Sequence, residues 1–110
     1  MKYELLKSAV VYETKGVEGR LLAATTPLEY VRLSLQPGGT IPAHRLPIYV
    51  DFFVIAGRGK VLVETVTTPI AEGDLLTTNP HEERSVINTG NVPLELLVIK
   101  QNAASQKEKL

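Results

Sequence analysis

Glycine and proline interrupt this chain at short and regular intervals, and this punctuation constrains its fold more than any other feature. They cluster at residues 16–19, 37–39, 42–47, 57–59, 69–73 and 90–93. Between the clusters lie short runs rich in valine, isoleucine, leucine and threonine. Such runs, spaced about 8–12 residues apart, are typical of antiparallel β-sandwiches and barrels. The sequence therefore predicts an all-β domain of antiparallel strands.

Eight of these runs are predicted as strands. The segment Gly57-Arg58-Gly59-Lys60 predicts a tight turn that joins two strands into a hairpin, and Asn88-Thr89-Gly90-Asn91 predicts a second turn. No segment has the length and periodicity of a long helix. The predicted strands are Ala9–Glu13, Arg20–Thr25, Glu29–Gln36, Ile48–Ala56, Lys60–Thr67, Asp74–Thr78, Arg84–Asn88 and Leu94–Lys100.

The length of 110 residues and the apolar content of 44% suit one domain with one core. We expect residues 1–100 to form this domain and the polar residues 101–110 to be a frayed or disordered tail. The first residues carry charges at Lys2, Glu4 and Lys7 and do not resemble a signal peptide, so we expect a cytoplasmic protein.

Composition excludes several classes of function. The chain has no cysteine, which rules out disulfides, thiolate zinc sites and a cysteine nucleophile. Twelve basic and twelve acidic side chains give a net charge of zero, so we expect neither a nucleic acid nor a membrane as a partner. Two histidines, His44 and His81, leave little material for a histidine-rich metal site.

Two segments framed by glycines carry a family resemblance. The first runs from Gly38 through His44 to Gly57, and the second runs from Gly73 through Arg84 to Asn88. The spacing of these residues resembles the two sequence motifs of the cupin superfamily over roughly residues 33–99. The resemblance implies a double-stranded β-helix, the jelly-roll barrel of cupins.

The resemblance also implies where a metal would bind and why this chain is not expected to bind one. In metal-binding cupins the first motif supplies two histidines and a glutamate, and the second supplies another histidine. The corresponding positions here hold His44, Leu46, Val50 and Arg84. Leucine and valine have no donor atom, and arginine stays protonated. We therefore expect no cofactor.

A non-standard metal site is the alternative. His81 precedes Arg84 by three residues, and a turn that folds inward could bring it to His44. A third ligand would then come from Asp51, Glu82 or Glu83, and such a set would suit a divalent transition metal. Asp51 suits this role poorly, because the resemblance implies that Val50 faces inward, and Asp51 then alternates outward.

Strand alternation predicts the lining of the barrel. The family pattern places Phe52 and Arg84 inward, with His44 nearby. In Glu29–Gln36, alternation leaves open which face looks in, and we favour the face of Tyr30 and Arg32 near the mouth. The predicted ligand-binding residues are thus His44, Arg84, His81, Arg32, Tyr30 and Phe52.

These residues predict a small barrel that binds a small polar or anionic molecule, since the guanidinium of Arg84 matches an anion. Alternatively, Arg84 forms a rim ion pair with Glu82, Glu83 or Asp74. The second hypothesis is an enzyme, either an isomerase or epimerase with His44 as acid or base, or a metal-dependent oxygenase or isomerase that uses His44 and His81. The sequence does not decide between binding protein and enzyme.

Two apolar side chains are predicted to point away from the barrel. Phe53 and Ile55 alternate with the inward residues of their strand, so they would expose an apolar surface. The resemblance implies pairing through the sheets, since cupins commonly form dimers. We therefore expect a homodimer.

Overall fold

The computed structural model describes residues 1–25 and 27–102, which form a short 3-10 turn at Leu5–Lys7 and ten strands. Most residues lie in strands because the short β-branched runs favour extended backbone and the glycine and proline clusters end each run. The strands are β1 (Ala9–Thr14), β2 (Val17–Ala24), β3 (Leu28–Leu35), β4 (Thr40–His44), β5 (Ile48–Ala56), β6 (Arg58–Val63), β7 (Val66–Ala71), β8 (Leu75–Thr78), β9 (Arg84–Asn88) and β10 (Leu94–Asn102).

Two antiparallel sheets enclose the core. The larger sheet has the order β1-β2-β3-β10-β5-β8, and the smaller has the order β4-β9-β6-β7. β10 lies between β3 and β5 and pairs with both along most of its length. The prediction of an all-β jelly roll of antiparallel strands is confirmed.

The core lies between the inner faces of the two sheets. Leu35, Leu94 and Leu96 from the larger sheet and Val61 from the smaller one have no measurable exposure. Burying each such side chain contributes about 1.5–3 kcal/mol to folding. Every second residue of β3 from Val31 onward is buried, so the alternation in the sequence corresponds to the two faces of this strand.

The link between β5 and β6 corrects one prediction. These strands do not form a hairpin, because they belong to different sheets, and Gly57 lies where the chain crosses between them. Gly57 has φ +85°, and a Cβ there would lie 2.4 Å from the carbonyl oxygen of Pro93. Glycine is therefore required for both conformation and space.

The predicted strand Lys60–Thr67 is also corrected. It contains the end of β6, a turn at Glu64 and Thr65, and the start of β7. Glu64 adopts a positive φ of 53°, which reverses the chain without a glycine. The valines on both sides of the turn made two short strands look like one continuous run.

Asn88 closes the far end of the barrel. Its side-chain amide donates to the carbonyl oxygens of Leu35 at 2.9 Å and Val92 at 2.8 Å, and its Oδ1 accepts from the N–H of Gly90 at 2.8 Å. These bonds hold the turn after β9 against the end of β3. The buried polar atoms of the Asn88 side chain therefore all have hydrogen-bond partners in the backbone.

The last strand extends past residue 100, the predicted boundary between the domain and its tail. β10 includes Gln101 and Asn102, two residues that the sequence analysis assigns to the tail. The rest of that predicted tail, residues 103–110, lies outside the described residues. Within the part of the chain that the structure describes, no helix is long and apolar enough to cross a membrane.

Candidate functional site

A cavity of about 380 Å³ lies between the two sheets. Its walls include three of the residues predicted to bind a ligand: His44, Phe52 and Arg84. The volume falls within the range of about 300–1,000 Å³ that is usual for small-molecule pockets. The remaining lining residues are Val11, Tyr12, Leu21, Glu29, Val31, Leu33, Ile41, Leu46, Val50, Val86, Val98 and Lys100.

The strand register gathers the charged lining residues at one end of the cavity. His44 lies opposite Arg84 in the β4–β9 ladder, and Lys100 lies opposite Glu29 in the β3–β10 ladder. Directly opposite residues of an antiparallel pair point to the same face of the sheet. We call Glu29, His44, Arg84 and Lys100 the polar layer.

Arg84 is the most deeply buried of these groups, with only 1% of its surface exposed. Its Nε donates to Thr78 Oγ1 at 2.9 Å, and its Nη2 donates to the carbonyl oxygen of Asn79 at 3.0 Å. Thr78 is itself buried and donates to the carbonyl oxygen of Val50 at 2.6 Å. These bonds connect the guanidinium in the smaller sheet to β8 and β5 in the larger one.

Two features leave the charge of Arg84 uncompensated. Its Nη1 is buried and has no hydrogen-bond partner, and among the described residues it forms no ion pair with a carboxylate. Burial lowers the pKa of Arg84, and the charge of Glu82 opposes that effect. A buried guanidinium without a counter-charge is unfavourable and creates a strong preference for a nearby anion.

The three carboxylates considered as rim partners of Arg84 have other contacts. Asp74 accepts from the backbone N–H of Ala71 at 2.8 Å, and Glu82 accepts from that of Asn79 at 2.6 Å. Glu83 lies 3.9 Å from Arg45. Glu82 acts on Arg84 only through its charge at longer range, so the predicted rim ion pair is absent from the described residues.

His44 lies at the exposed side of the polar layer. Its Nδ1 lies 2.9 Å from the carbonyl oxygen of Pro42. Because a carbonyl oxygen only accepts, Nδ1 must carry the proton of this bond. In the neutral ring Nε2 is then unprotonated and can accept a proton or a hydrogen bond.

His81 does not join this group. It is exposed, does not line the cavity, and has a positive φ of 68°. Its backbone N–H donates to the carbonyl oxygen of Leu46, and its carbonyl accepts from Arg45 at 2.7 Å. The turn at His81 does not fold inward, as the alternative metal site would require, since backbone bonds hold it in the rim.

The structure does not provide a metal site in the part of the chain that it describes. No three histidine or carboxylate side chains lie close enough together there to hold a metal ion, so the alternative set around His44 and His81 is not formed. At the motif positions, Leu46 and Val50 line the cavity without a donor atom, and Arg84 would repel a cation. These residues do not fit a divalent metal.

Tyr30 and Arg32 do not line the cavity, contrary to the prediction. Both lie on the outer face of β3, since Val31 and Leu33 take the inner face and line the cavity. On that outer face, Arg32 Nη2 donates to Glu95 at 3.3 Å. Alternation separated the two faces correctly, but it did not show that the face with more apolar residues is the one that packs inside.

Two charged members of the polar layer were missed. Glu29 shares the inner face of β3 with Val31, and Lys100 shares the inner face of β10 with Val98. Both lie near strand ends, where the sequence suggests that a charged residue is exposed to solvent. Extending the alternation by one inward position at each strand would have found them.

Comparison with known proteins agrees with this architecture. The sequence model of the cupin domain family matches residues 31–100 of the chain. A curated relative, the oxalate-binding protein of Thermotoga maritima, is 30% identical over 71 residues, which cover 64% of this chain. The matched region spans 59% of the length of that relative.

Solved structures share the fold at low identity. A predicted oxalate decarboxylase from T. maritima has a TM-score of 0.82 and 23% identity, with 93% of this chain and 99% of that chain covered. The polyketide cyclase RemF from Streptomyces resistomycificus has a TM-score of 0.77 and 15% identity, with 94% and 84% covered. These likenesses concern the fold, which hosts several functions.

Proposed function

Because this chain belongs to the cupin domain family, whose barrel encloses the cavity described above, we propose that it binds a small organic anion there without a metal. Arg84 anchors the anion, and His44 contributes a hydrogen bond from the exposed side. The name of the curated relative, an oxalate-binding protein, is consistent with an anionic ligand. Most of the other lining residues are apolar and provide a wall for the rest of the ligand.

One observation carries the proposal: Arg84 lines the cavity, and the Nη1 atom of its guanidinium is buried without a hydrogen-bond partner. A buried polar group without a partner costs about 1–3 kcal/mol, and more when it is charged. A carboxylate bound against this guanidinium would supply the missing counter-charge together with a charge-assisted hydrogen bond. Binding of an anion would therefore gain the new interaction and also remove the unfavourable free energy of the uncompensated guanidinium.

An NMR titration at constant ionic strength tests the proposal with acetate, butyrate and oxalate. We expect at least one of these anions to shift resonances of the cavity residues, and Arg84→Met to weaken its binding at least tenfold. Arg58→Met is the matched control, because Arg58 is an exposed arginine that does not line the cavity. Arg84→Lys, which keeps the charge but loses the planar fork, should bind with intermediate affinity.

The result that contradicts the anchor is unchanged anion binding in a folded Arg84→Met protein. Absence of binding by the wild-type protein to all three anions would instead contradict the binding function itself. Circular dichroism and thermal unfolding of each variant separate loss of binding from loss of fold.

A second candidate function is proton transfer next to a carbonyl group. The hydrogen bond from Nδ1 to Pro42 leaves Nε2 of neutral His44 free to take a proton, and this observation favours an acid–base role. Incubation with 2-oxobutyrate in D2O tests it, because an active His44 would accelerate deuterium exchange at the carbon next to the carbonyl. Exchange at the same rate with the wild-type protein and His44→Asn would exclude this role for His44.

A homodimer is the assembly that we infer from the outer face of the larger sheet. Phe53 and Ile55 are 38% and 37% exposed, and the partner of Phe53 on the edge strand β8, Leu75, is 60% exposed. We call these three residues the outer apolar face. An apolar area of this kind on the outside of a sheet suits packing against its own copy about a twofold axis. The cytoplasmic location remains a prediction.

A further inference from the structure

The cavity has charged side chains at one end and apolar side chains next to them along the strands. Next to the polar layer in the strand register, Val98 lies opposite both Val31 and Phe52, and Ile41 lies opposite Val86 in the other sheet. We call these five residues the apolar layer. All five line the cavity. A molecule that reaches from Arg84 into the body of the cavity therefore passes from charged groups to hydrocarbon.

No second anion site is available deeper in the barrel among the described residues. Beyond the apolar layer, the inner face of the larger sheet continues with Leu33, Val54 and Leu96, of which Val54 and Leu96 are essentially inaccessible. Asn88, the buried polar residue at the far end, already uses its amide on Leu35 and Val92. A second charge on the ligand would thus lie in an apolar environment, where charge is strongly disfavoured.

The charges of the polar layer favour a ligand with a single negative charge. Arg84 and Lys100 are positive and Glu29 is negative, so the layer carries one net positive charge when His44 is neutral. One carboxylate balances this charge, whereas two would leave a net negative charge beside Glu29.

We propose that the natural ligand class is a monocarboxylic acid with an apolar body, bound with its carboxylate at Arg84 and its body in the apolar layer. This inference rests on the proposed function and narrows it. It differs from a small dianion such as oxalate, which has no apolar part to place against Phe52 and Val86 and fills only part of the cavity.

A homologous series of carboxylates tests the orientation. We expect affinity to rise about threefold to fourfold for each methylene from acetate to propionate to butyrate, as each added group leaves water for the apolar layer. Succinate is butyrate with the terminal methyl group replaced by a carboxylate, so it should bind at least tenfold more weakly than butyrate. NMR titrations at constant ionic strength and pH 7 give these affinities.

A wall variant shows where the apolar body lies. Ile41→Thr changes a half-buried residue of the apolar layer, and Ile87→Thr is the matched control on the outward face of β9. We expect Ile41→Thr to weaken butyrate several-fold while changing acetate less than twofold. Ile87→Thr should change neither affinity.

Three results would overturn the inference: equal affinity across the series, tighter binding of oxalate or succinate than of butyrate, or equal effects of Ile41→Thr and Ile87→Thr. Under each of these results an anion still binds, so the proposed function survives and only the ligand class is wrong. If no member of the series and neither dicarboxylate binds, the proposed function fails as well.

Discussion

Thr78 determines how the guanidinium of Arg84 is held, since its hydroxyl is both donor and acceptor. It donates to the carbonyl oxygen of Val50 and accepts from Arg84 Nε. Thr78→Val keeps the shape of the side chain but removes both of these buried hydrogen bonds. We expect a loss of about 1–3 kcal/mol in the free energy of unfolding, measured by urea denaturation.

The same substitution tests Thr78 as a positioning residue. Without the bond to Nε the guanidinium is less fixed, so butyrate affinity should fall along with stability. Thr78→Ser retains the hydroxyl, and we expect it to restore affinity even if it does not fully restore stability. A Thr78→Val protein that binds butyrate as the wild type does would show that Thr78 only supports the fold.

Sequence reasoning located some site residues and not others, for a physical reason. Arg84, His44 and Phe52 were placed by the spacing of the two glycine-framed motifs, which fixes strand positions independently of side-chain type. Tyr30 was placed by alternation alone, which defines two faces but not which one is covered by the opposite sheet. Only the packing of the two sheets settles that choice.

That Arg84 forms no ion pair within the described part of the chain could not be predicted from sequence either. Asp74, Glu82 and Glu83 all lie within ten residues of it along the chain, so the sequence suggests a rim ion pair. In the structure Asp74 and Glu82 accept from backbone N–H groups in their turns. Local bonds of this kind compete with ion pairs, and their outcome depends on backbone conformation.

At the scale of elements, three connections are joined at the rim by one ionic cluster. Arg45 follows β4, Glu64 lies in the β6–β7 turn, and Glu83 precedes β9. Arg45 donates to Glu64 at 2.8 Å and lies 3.9 Å from Glu83, while the N–H of Glu83 donates to Glu64 at 2.9 Å. We call these three residues the rim cluster.

The rim cluster predicts a pH dependence. The N–H of Glu83 and the guanidinium of Arg45 lower the pKa of Glu64 below its usual value of about 4.3. Glu64 therefore contributes stability above the unfolded pKa, and this contribution is lost as the pH falls through the lower folded value. We expect Glu64→Gln to lower the melting temperature at pH 7, with the difference from wild type shrinking below about pH 4.

Glu72→Gln provides the control for this measurement, since Glu72 is an exposed glutamate on a different turn. Thermal unfolding from pH 7 to pH 3 gives the comparison. The effect should be small, because the cluster is exposed and salt screens it. A difference between Glu64→Gln and wild type that stays constant down to pH 3 would contradict the assigned role.

One strand, β4, has no signal in the local sequence. β4 contains Pro42 and has only one half-buried residue, Ile41, with the others exposed, so it lacks the alternation that marks a strand. It forms because β9 offers an edge to which Thr40 and His44 can pair. Pairing with a distant segment thus created an element that has no local signal.

For the molecule as a whole, β5 connects the cavity to the outer surface. Phe52 and Val54 face the core, whereas Phe53 and Ile55 face outward from the same strand. The outer apolar face therefore lies directly behind a wall of the cavity. A dimer formed through this face would leave the cavity, with its polar layer, on the other side of the sheet.

Oligomeric state tests this arrangement. If the outer apolar face forms the interface, sedimentation velocity of the wild-type protein should show a dimer of twice the 12.0 kDa chain mass. Leu75→Glu should produce monomers, because the new charges would face each other across a twofold axis. Leu75 is 60% exposed, so this substitution should cost the isolated barrel little stability.

Val66→Glu is the matched control for that variant. Val66 is 62% exposed, about as much as Leu75, but it lies on β7 in the smaller sheet. A dimer through the larger sheet tolerates Val66→Glu, whereas a dimer through the smaller sheet would dissociate. Because the outer apolar face and the cavity lie on opposite faces of β5, monomers of Leu75→Glu should still bind butyrate. A wild-type protein that is monomeric at hundreds of micromolar would show that the outer apolar face does not self-associate.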